Sequence, residues 1–150
     1  MRSSIFIITS PYAELPERQA ALELQRYLYE MSRRMPEIRH ACPLDSSDTV
    51  TIVLGGVMRH PALADPALRT LLEGYRENLG QEGFAILPVD THTGRQILIV
   101  GGSPQAVLYG AYELLENLGV AFHLGGDTVH HTEEPAFPQK AIVKRPVFSI

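Results

Sequence analysis

Residues 123 to 134 carry the densest set of side chains capable of chemistry: His123, Asp127, His130, His131, Glu133 and Glu134. Such imidazoles and carboxylates can ligate zinc or calcium, and two carboxylates held about 5 to 10 Å apart can cleave a glycosidic bond. The spacing argues against both. Adjacent His130 and His131 point in different directions in an extended chain, and no His-Glu-x-x-His helix sets ligands on one face. Asp127, Glu133 and Glu134 share a loop with no rigid element evident beneath them, whereas a productive pair needs firm packing support. No metal, no cofactor and no catalytic pair is expected here.

A second candidate is Val100-Gly-Gly-Ser-Pro104 ahead of a helix, where backbone N–H groups and the helix dipole could cradle a phosphate. Neither Gly-x-Gly-x-x-Gly nor Gly-Lys-Ser/Thr occurs at Gly101 or Gly55, and Pro104 removes one donor. Ser103 is explained by helix capping, and no Gly-x-Ser-x-Gly elbow exists. Cys42 is the single cysteine and lies beside Pro43 without an evident partner. Tyr109 and Tyr112 fall on a helix flank, where they could stack on a sugar or on a neighbouring domain.

The elements that must position these residues are legible from periodicity. Ser4 to Thr9 reads as a first strand. A helix opens at Glu14-Leu-Pro-Glu17, carries Ala20, Ala21, Leu24, Tyr27, Leu28 and Met31 on one face, and is expected to stop at Pro36. Thr49 to Leu54 gives another strand ending in Gly55-Gly56. Pro66 starts a short helix with Leu68, Leu71, Leu72 and Tyr75 at helical spacing. Gly83 to Asp90 and Arg95 to Val100 flank Thr91-His-Thr-Gly94 and should form an antiparallel hairpin.

Ile97 to Val100, the glycine pair, Ser103 as N-cap and Pro104 predict a strand passing directly into a helix. Val107, Leu108, Ala111, Leu114, Leu115 and Leu118 form its apolar face, with Gly110 among them for close approach and Gly119 for a left-handed cap. Val120 to Leu124 is expected to complete a strand-helix-strand crossover. Thr128 to Gln139 reads as a polar surface loop, and Lys140 to Lys144 as a final edge strand. The fold class is therefore α+β: a two-layer sandwich, with a mixed β-sheet of about five strands and two long helices on one face.

At 150 residues the chain is most simply one domain, able to bury roughly 70% of the surface its unfolded form exposes. A lone cysteine excludes an intrachain disulfide framework. The net charge of −4 favours neither nucleic acid nor an anionic membrane as partner. Ile5 to Ile8 is too short for a signal-peptide core, so the chain as it stands reads as cytoplasmic, with secretion left open had a leader been removed. Lys144-Arg-Pro-Val-Phe-Ser-Ile150 stops within an apolar, strand-like pattern, from which a longer protein is expected to continue.

Ala20-Ala-Leu-Glu-Leu-Gln-Arg-Tyr-Leu28, Thr51-Ile-Val-Leu-Gly-Gly56, Glu82-Gly-Phe84, Gly101-Gly-Ser-Pro-Gln-Ala-Val-Leu-Tyr-Gly-Ala-Tyr-Glu-Leu-Leu-Glu116, Leu118-Gly-Val120 and Lys144-Arg-Pro-Val-Phe148 occur in this order. The combination resembles the non-catalytic N-terminal domain that precedes the catalytic barrel in bacterial α-glucuronidases, β-hexosaminidases and related glycoside hydrolases. The resemblance implies a domain spanning residues 1–150 that packs against a (β/α)₈ barrel of the same longer chain, entered from about residues 145–150. No catalytic residue is implied within it. Two other readings stand beside this one: a carbohydrate-binding module touching sugar through Tyr109, Tyr112, His130 or His131, and a small nucleotide-binding α/β protein using the Gly101-Gly102 turn.

Overall fold

The computed structural model describes residues 4–41, 49–91 and 94–145. Cys42, the middle of the 91–94 loop and nearly all of the apolar C-terminal segment lie outside them. Within the described residues the sequence forms β1 (Ser4–Ile8), α1 (Leu15–Ser32), β2 (Glu37–Arg39), β3 (Thr49–Gly56) and α2 (Pro66–Glu73), followed by β4 (Phe84–Thr91), β5 (Gly94–Gly101), α3 (Pro104–Asn117) and β6 (Ile142–Lys144). A single 3₁₀ turn, Pro61–Ala64, precedes α2.

The strands make one mixed sheet in the order β2-β1-β3-β5-β4-β6. β2, β1, β3 and β5 run parallel, while β4 pairs antiparallel with both β5 and β6. The expected hairpin is present, with Phe84 opposite Gly101 and Thr91 opposite Gly94. β2 is a strand the periodicity does not announce, and it raises the strand count to six.

Alternation along the strands sends Ile7, Ile52, Ile97, Ile99 and Ile86 to one face and Ile8, Val53, Leu98, Val100 and Leu87 to the other. On the first face α1 and α3 pack side by side, burying Ala20, Ala21, Leu24, Leu28, Ala111, Leu114 and Leu115. The two long helices thus share one face, as periodicity predicts. The other face carries a smaller layer, in which Ala62, Leu68, Leu72 and Leu79 cover the sheet.

The helix ends depart in part from expectation. α1 closes three residues before Pro36, because Arg33 takes the left-handed conformation (φ 62°) and donates its N–H to Tyr29 O at 2.7 Å. Ser103 caps α3 as expected, its Oγ accepting from Ala106 N–H. Gly119 (φ 105°) ends α3 in a Schellman arrangement: Val120 N–H donates to Leu115 O and Gly119 N–H to Glu116 O, both at 3.0 Å.

That cap explains why the expected strand Val120 to Leu124 does not form. Val120 is spent on the helix terminus and buried in the core, and the chain reverses through Gly126 (φ 134°), leaving only an Ala121–Thr128 bridge. The parallel strand-helix-strand unit lies elsewhere, in β1-α1-β2. The stretch from Thr128 to Gln139 is more than a polar surface loop. Val129 and Phe137 pack on the main core and Pro135 is buried. Thr132 N–H donates to Met31 O at 2.8 Å, and Arg34 holds Glu133 O at 2.5 Å and the Glu134 carboxylate at 3.5 Å. The segment is strapped across the end of α1.

Candidate functional site

The parallel strands β3 and β5 end level with each other, Gly56 opposite Gly101, at the edge where an open α/β sheet ordinarily binds ligands. Here the glycine turn closes on protein instead. Gly102 N–H donates to Gly83 O at 2.9 Å, and Ser103 Oγ–H donates to Gln81 O at 2.5 Å. Gly101 O accepts from Val57 N–H at 2.8 Å. A Cβ on Gly102 would lie 1.5 Å from Gly80 O, so the residue must be glycine for the 80–83 segment to pass.

Beside this turn lies a cleft of about 230 Å³ lined by Glu14, Glu17, Met58, Arg59, Ser103 and Pro104. Glu17 Oε1 accepts from Glu14 N–H at 3.0 Å, in a capping-box arrangement that starts α1. Two carboxylates outnumber the single arginine on the wall, and the Gly102 donor is already used, which opposes a phosphate. The geometry therefore supports a packing role for the Gly101-Gly102 turn rather than nucleotide binding.

A titratable residue that pattern reading misses sits directly behind this edge. His60 is 2% exposed; its Nδ1 accepts from Ala62 N–H at 3.1 Å, and its Nε2 lies 3.1 Å from both Val53 O and Ile99 O. This set of partners fixes the Nε2–H tautomer, with the proton shared between two strand carbonyls. Burial is the main reason that its pKa falls to about 4. A neutral imidazole with every nitrogen occupied by backbone ties β3, β5 and the 3₁₀ turn together.

The 121–134 loop is the other place where chemistry was conceivable. Asp127 accepts a hydrogen bond from Tyr27 OH. Burial first, and then this bond, push the Tyr27 phenol up to about 12. Phe122 stands edge-on to both Tyr27 and Tyr112, at centroid distances of 5.5 and 5.4 Å. Tyr112 is thereby joined to the loop, its half-buried ring set against Phe122.

Tyr109 remains 45% exposed on α3. His130 and His131 are exposed on the loop, and among the described residues no hydrogen bond or ring contact joins Tyr109 to either. Nor do the described residues contain three His, Cys, Asp or Glu side chains placed to hold a metal ion. The predicted contact residues are thus dispersed: one in a packed cluster, one open on a helix, two on the loop surface.

With the glycine turn, His60 and the Tyr27–Asp127 pair all engaged in packing, comparison with known proteins supplies the context. The model for the glycosyl hydrolase family 67 N-terminus matches residues 3–114. The chain belongs to this family. A family GH115 4-O-methyl-α-glucuronidase, BtGH115A, with specificity for decorated arabinogalactans, is similar in fold: TM-score 0.63 at 16% identity, over 97% of this chain and 18% of that one. A GH138 enzyme targeting pectin rhamnogalacturonan II aligns over 77% of this chain and 13% of its own, with TM-score 0.45 and 12% identity. No curated protein sequence matches. The family 67 N-terminal chain thus spans under a fifth of the length of the solved glucuronidase whose fold it shares.

Proposed function

We propose that this chain is the non-catalytic N-terminal domain of a larger glycoside hydrolase, where it packs against and stabilises a catalytic (β/α)₈ barrel in the same polypeptide. The observation that carries this is the family 67 N-terminal match over residues 3–114, in a chain where several of the described side chains capable of chemistry are engaged in building the fold. His60 is bonded to backbone on both nitrogens, Glu17 and Ser103 cap helices, and Asp127 holds Tyr27. None presents a free acid and base across a sugar-sized gap.

Carbohydrate contact within this domain, as a finer reading, falls to Tyr109, whose open ring offers the amphipathic stacking face that Tyr112 has committed to Phe122. The test is a comparison of residues 1–150 with the complete gene product. The short chain should hydrolyse no aryl glycoside or uronic-acid oligosaccharide, and the complete product should hydrolyse a uronic-acid glycoside. Turnover by the short chain that disappears on substituting one of its own side chains would overturn the reading. Calorimetric titration with uronic-acid oligosaccharides, with and without Tyr109→Ala, examines the sugar contact separately.

A further inference from the structure

At the end of the sheet away from the glycine turn, where β3 and β5 begin, Val50, Arg95 and Asp90 stand side by side on three neighbouring strands. Residues paired directly across strands share a face. Val50 packs on the main core, so the row lies on the α1/α3 side of the sheet. The 128–139 strap crosses it: Arg95 Nη2–H donates to Pro138 O at 2.6 Å, and Phe137 packs on the main core beside it. Between row and strap opens a cleft of about 530 Å³, whose walls include Val50, Asp90, Arg95, Ala136, Phe137 and Gln139. The cleft beside the glycine turn holds about 230 Å³. Small-molecule sites commonly fall between about 300 and 1,000 Å³.

Two charges in this cleft stand without a counter-ion. Arg95 Nε is buried with no hydrogen-bond partner, and the bond to Pro138 O is the one the guanidinium makes among the described residues. Asp90 is exposed, and among the described residues its carboxylate enters no ion pair or hydrogen bond. Elsewhere charged side chains find each other: Arg26, Arg39 and Lys144 have acids at 3.8, 2.8 and 2.6 Å.

This pair of charges selects the ligand. Asp90 repels an anion and Arg95 a cation, so the occupant is neutral, and it must donate to the carboxylate while accepting from the guanidinium. A hydroxyl does both. Adjacent hydroxyls on a sugar ring can engage a carboxylate or a guanidinium at two points, and the C–H face of the ring suits the apolar walls at Val50, Ala136 and Phe137.

We propose that this cleft binds a neutral sugar ring of an oligosaccharide, Asp90 accepting from its hydroxyl groups and Arg95 donating to them, with Phe137 against its apolar face. Tyr109 does not line the cleft. The site goes beyond the accessory role and does not depend on it.

The test is amide chemical-shift mapping on the 150-residue chain, titrated singly with hexasaccharides of β-1,4-linked xylose, glucose, mannose and galactose, and with sodium glucuronate as the anionic comparison. At least one hexasaccharide should give saturable shifts at the amides of Asp90, Arg95 and Phe137. Asp90→Ala should weaken that binding about tenfold, as expected when a charge-assisted hydrogen bond to a ligand is lost. It should leave the melting temperature unchanged, because an exposed side chain without partners adds little to stability. Tyr109→Ala should bind as the parent does. The site is overturned by the absence of saturable shifts with every hexasaccharide, by shifts with glucuronate alone, or by binding that Tyr109→Ala abolishes and Asp90→Ala spares. None of these results touches the accessory-domain reading, which is decided by hydrolysis with the complete gene product.

Discussion

His60 shows how a single side chain sets the conditions under which the domain is stable. Above pH 6.5 the imidazole is neutral whether the chain is folded or not, and its three hydrogen-bond contacts contribute fully. As pH falls from 6.5 towards 4, the unfolded chain takes up a proton that the buried ring refuses, so the folded state loses stability. Below about 4 both states are charged at this position and its contribution to the slope ends. The loss across the window is about 3 kcal/mol. Urea unfolding at intervals across this range should show it as a falling midpoint. His60→Gln should be less stable at neutral pH and should flatten the slope; an unchanged slope in that variant would assign the acid sensitivity elsewhere. The residue was not legible beforehand, because its partners are main-chain carbonyls of Val53 and Ile99 and no residue type advertises a carbonyl.

At the scale of elements, the ends of α1 and the seating of α3 make separate claims. Arg33 holds a left-handed backbone at the end of α1 without being glycine, which crowds its Cβ against the carbonyl. Arg33→Gly should therefore stabilise the domain by about 0.5 to 1 kcal/mol, net of the added freedom of the unfolded chain, as read from the urea midpoint. α3 depends on the opposite kind of glycine. A Cβ at Gly110 would meet Ile99 Cγ2 at 2.7 Å and the Phe84 ring at 3.3 Å, so the helix backbone rides directly on sheet side chains. Gly110→Leu should cost roughly 1 to 3 kcal/mol by overpacking, and near-neutral unfolding would show that α3 can lift away. These helices were legible because they pair strong apolar stripes with capping signals, as were β3 and β5, whose apolar runs reflect burial on both faces. β2 was not, since Ile38 stands between Glu37 and Arg39 and the strand exists through parallel pairing with β1. Val120 to Leu124 misled for the converse reason: Val120 serves a helix terminus, Phe122 an aromatic cluster, and Leu124 stands exposed, so apolarity alone does not say which surface is buried. The 128–139 strap was hidden as well, because it is fastened through Met31 O and Glu133 O, main-chain groups in a segment of polar composition.

For the molecule as a whole, the sheet divides the interior into two unequal cores, and that asymmetry predicts where the domain opens first. The α1/α3 side joins two helices, seated on strand positions from β1 to β4, with Tyr112, Phe122, Val129 and Phe137 closing its margin. The opposite side rests on α2, eight residues long with only Leu68 and Leu72 buried, together with Ala62 and Leu79. A layer with so few buried apolar anchors can detach while the larger core and the parallel ladder persist. Native-state hydrogen exchange should therefore show amides of residues 61–79 exchanging through an opening well below the global unfolding free energy. Those of α1, α3, β3 and β5 should exchange only near it. His60 sharpens the expectation, because its Nδ1 bond to Ala62 N–H is the tether between the small layer and the ladder. Exchange of 61–79 should accelerate at pH 5 relative to pH 7 beyond the intrinsic pH dependence of amide exchange, as protonation of the opened imidazole favours the detached form. Equal protection on both faces at both pH values would mean that the cores unfold as one unit, and that the histidine does not gate the smaller layer.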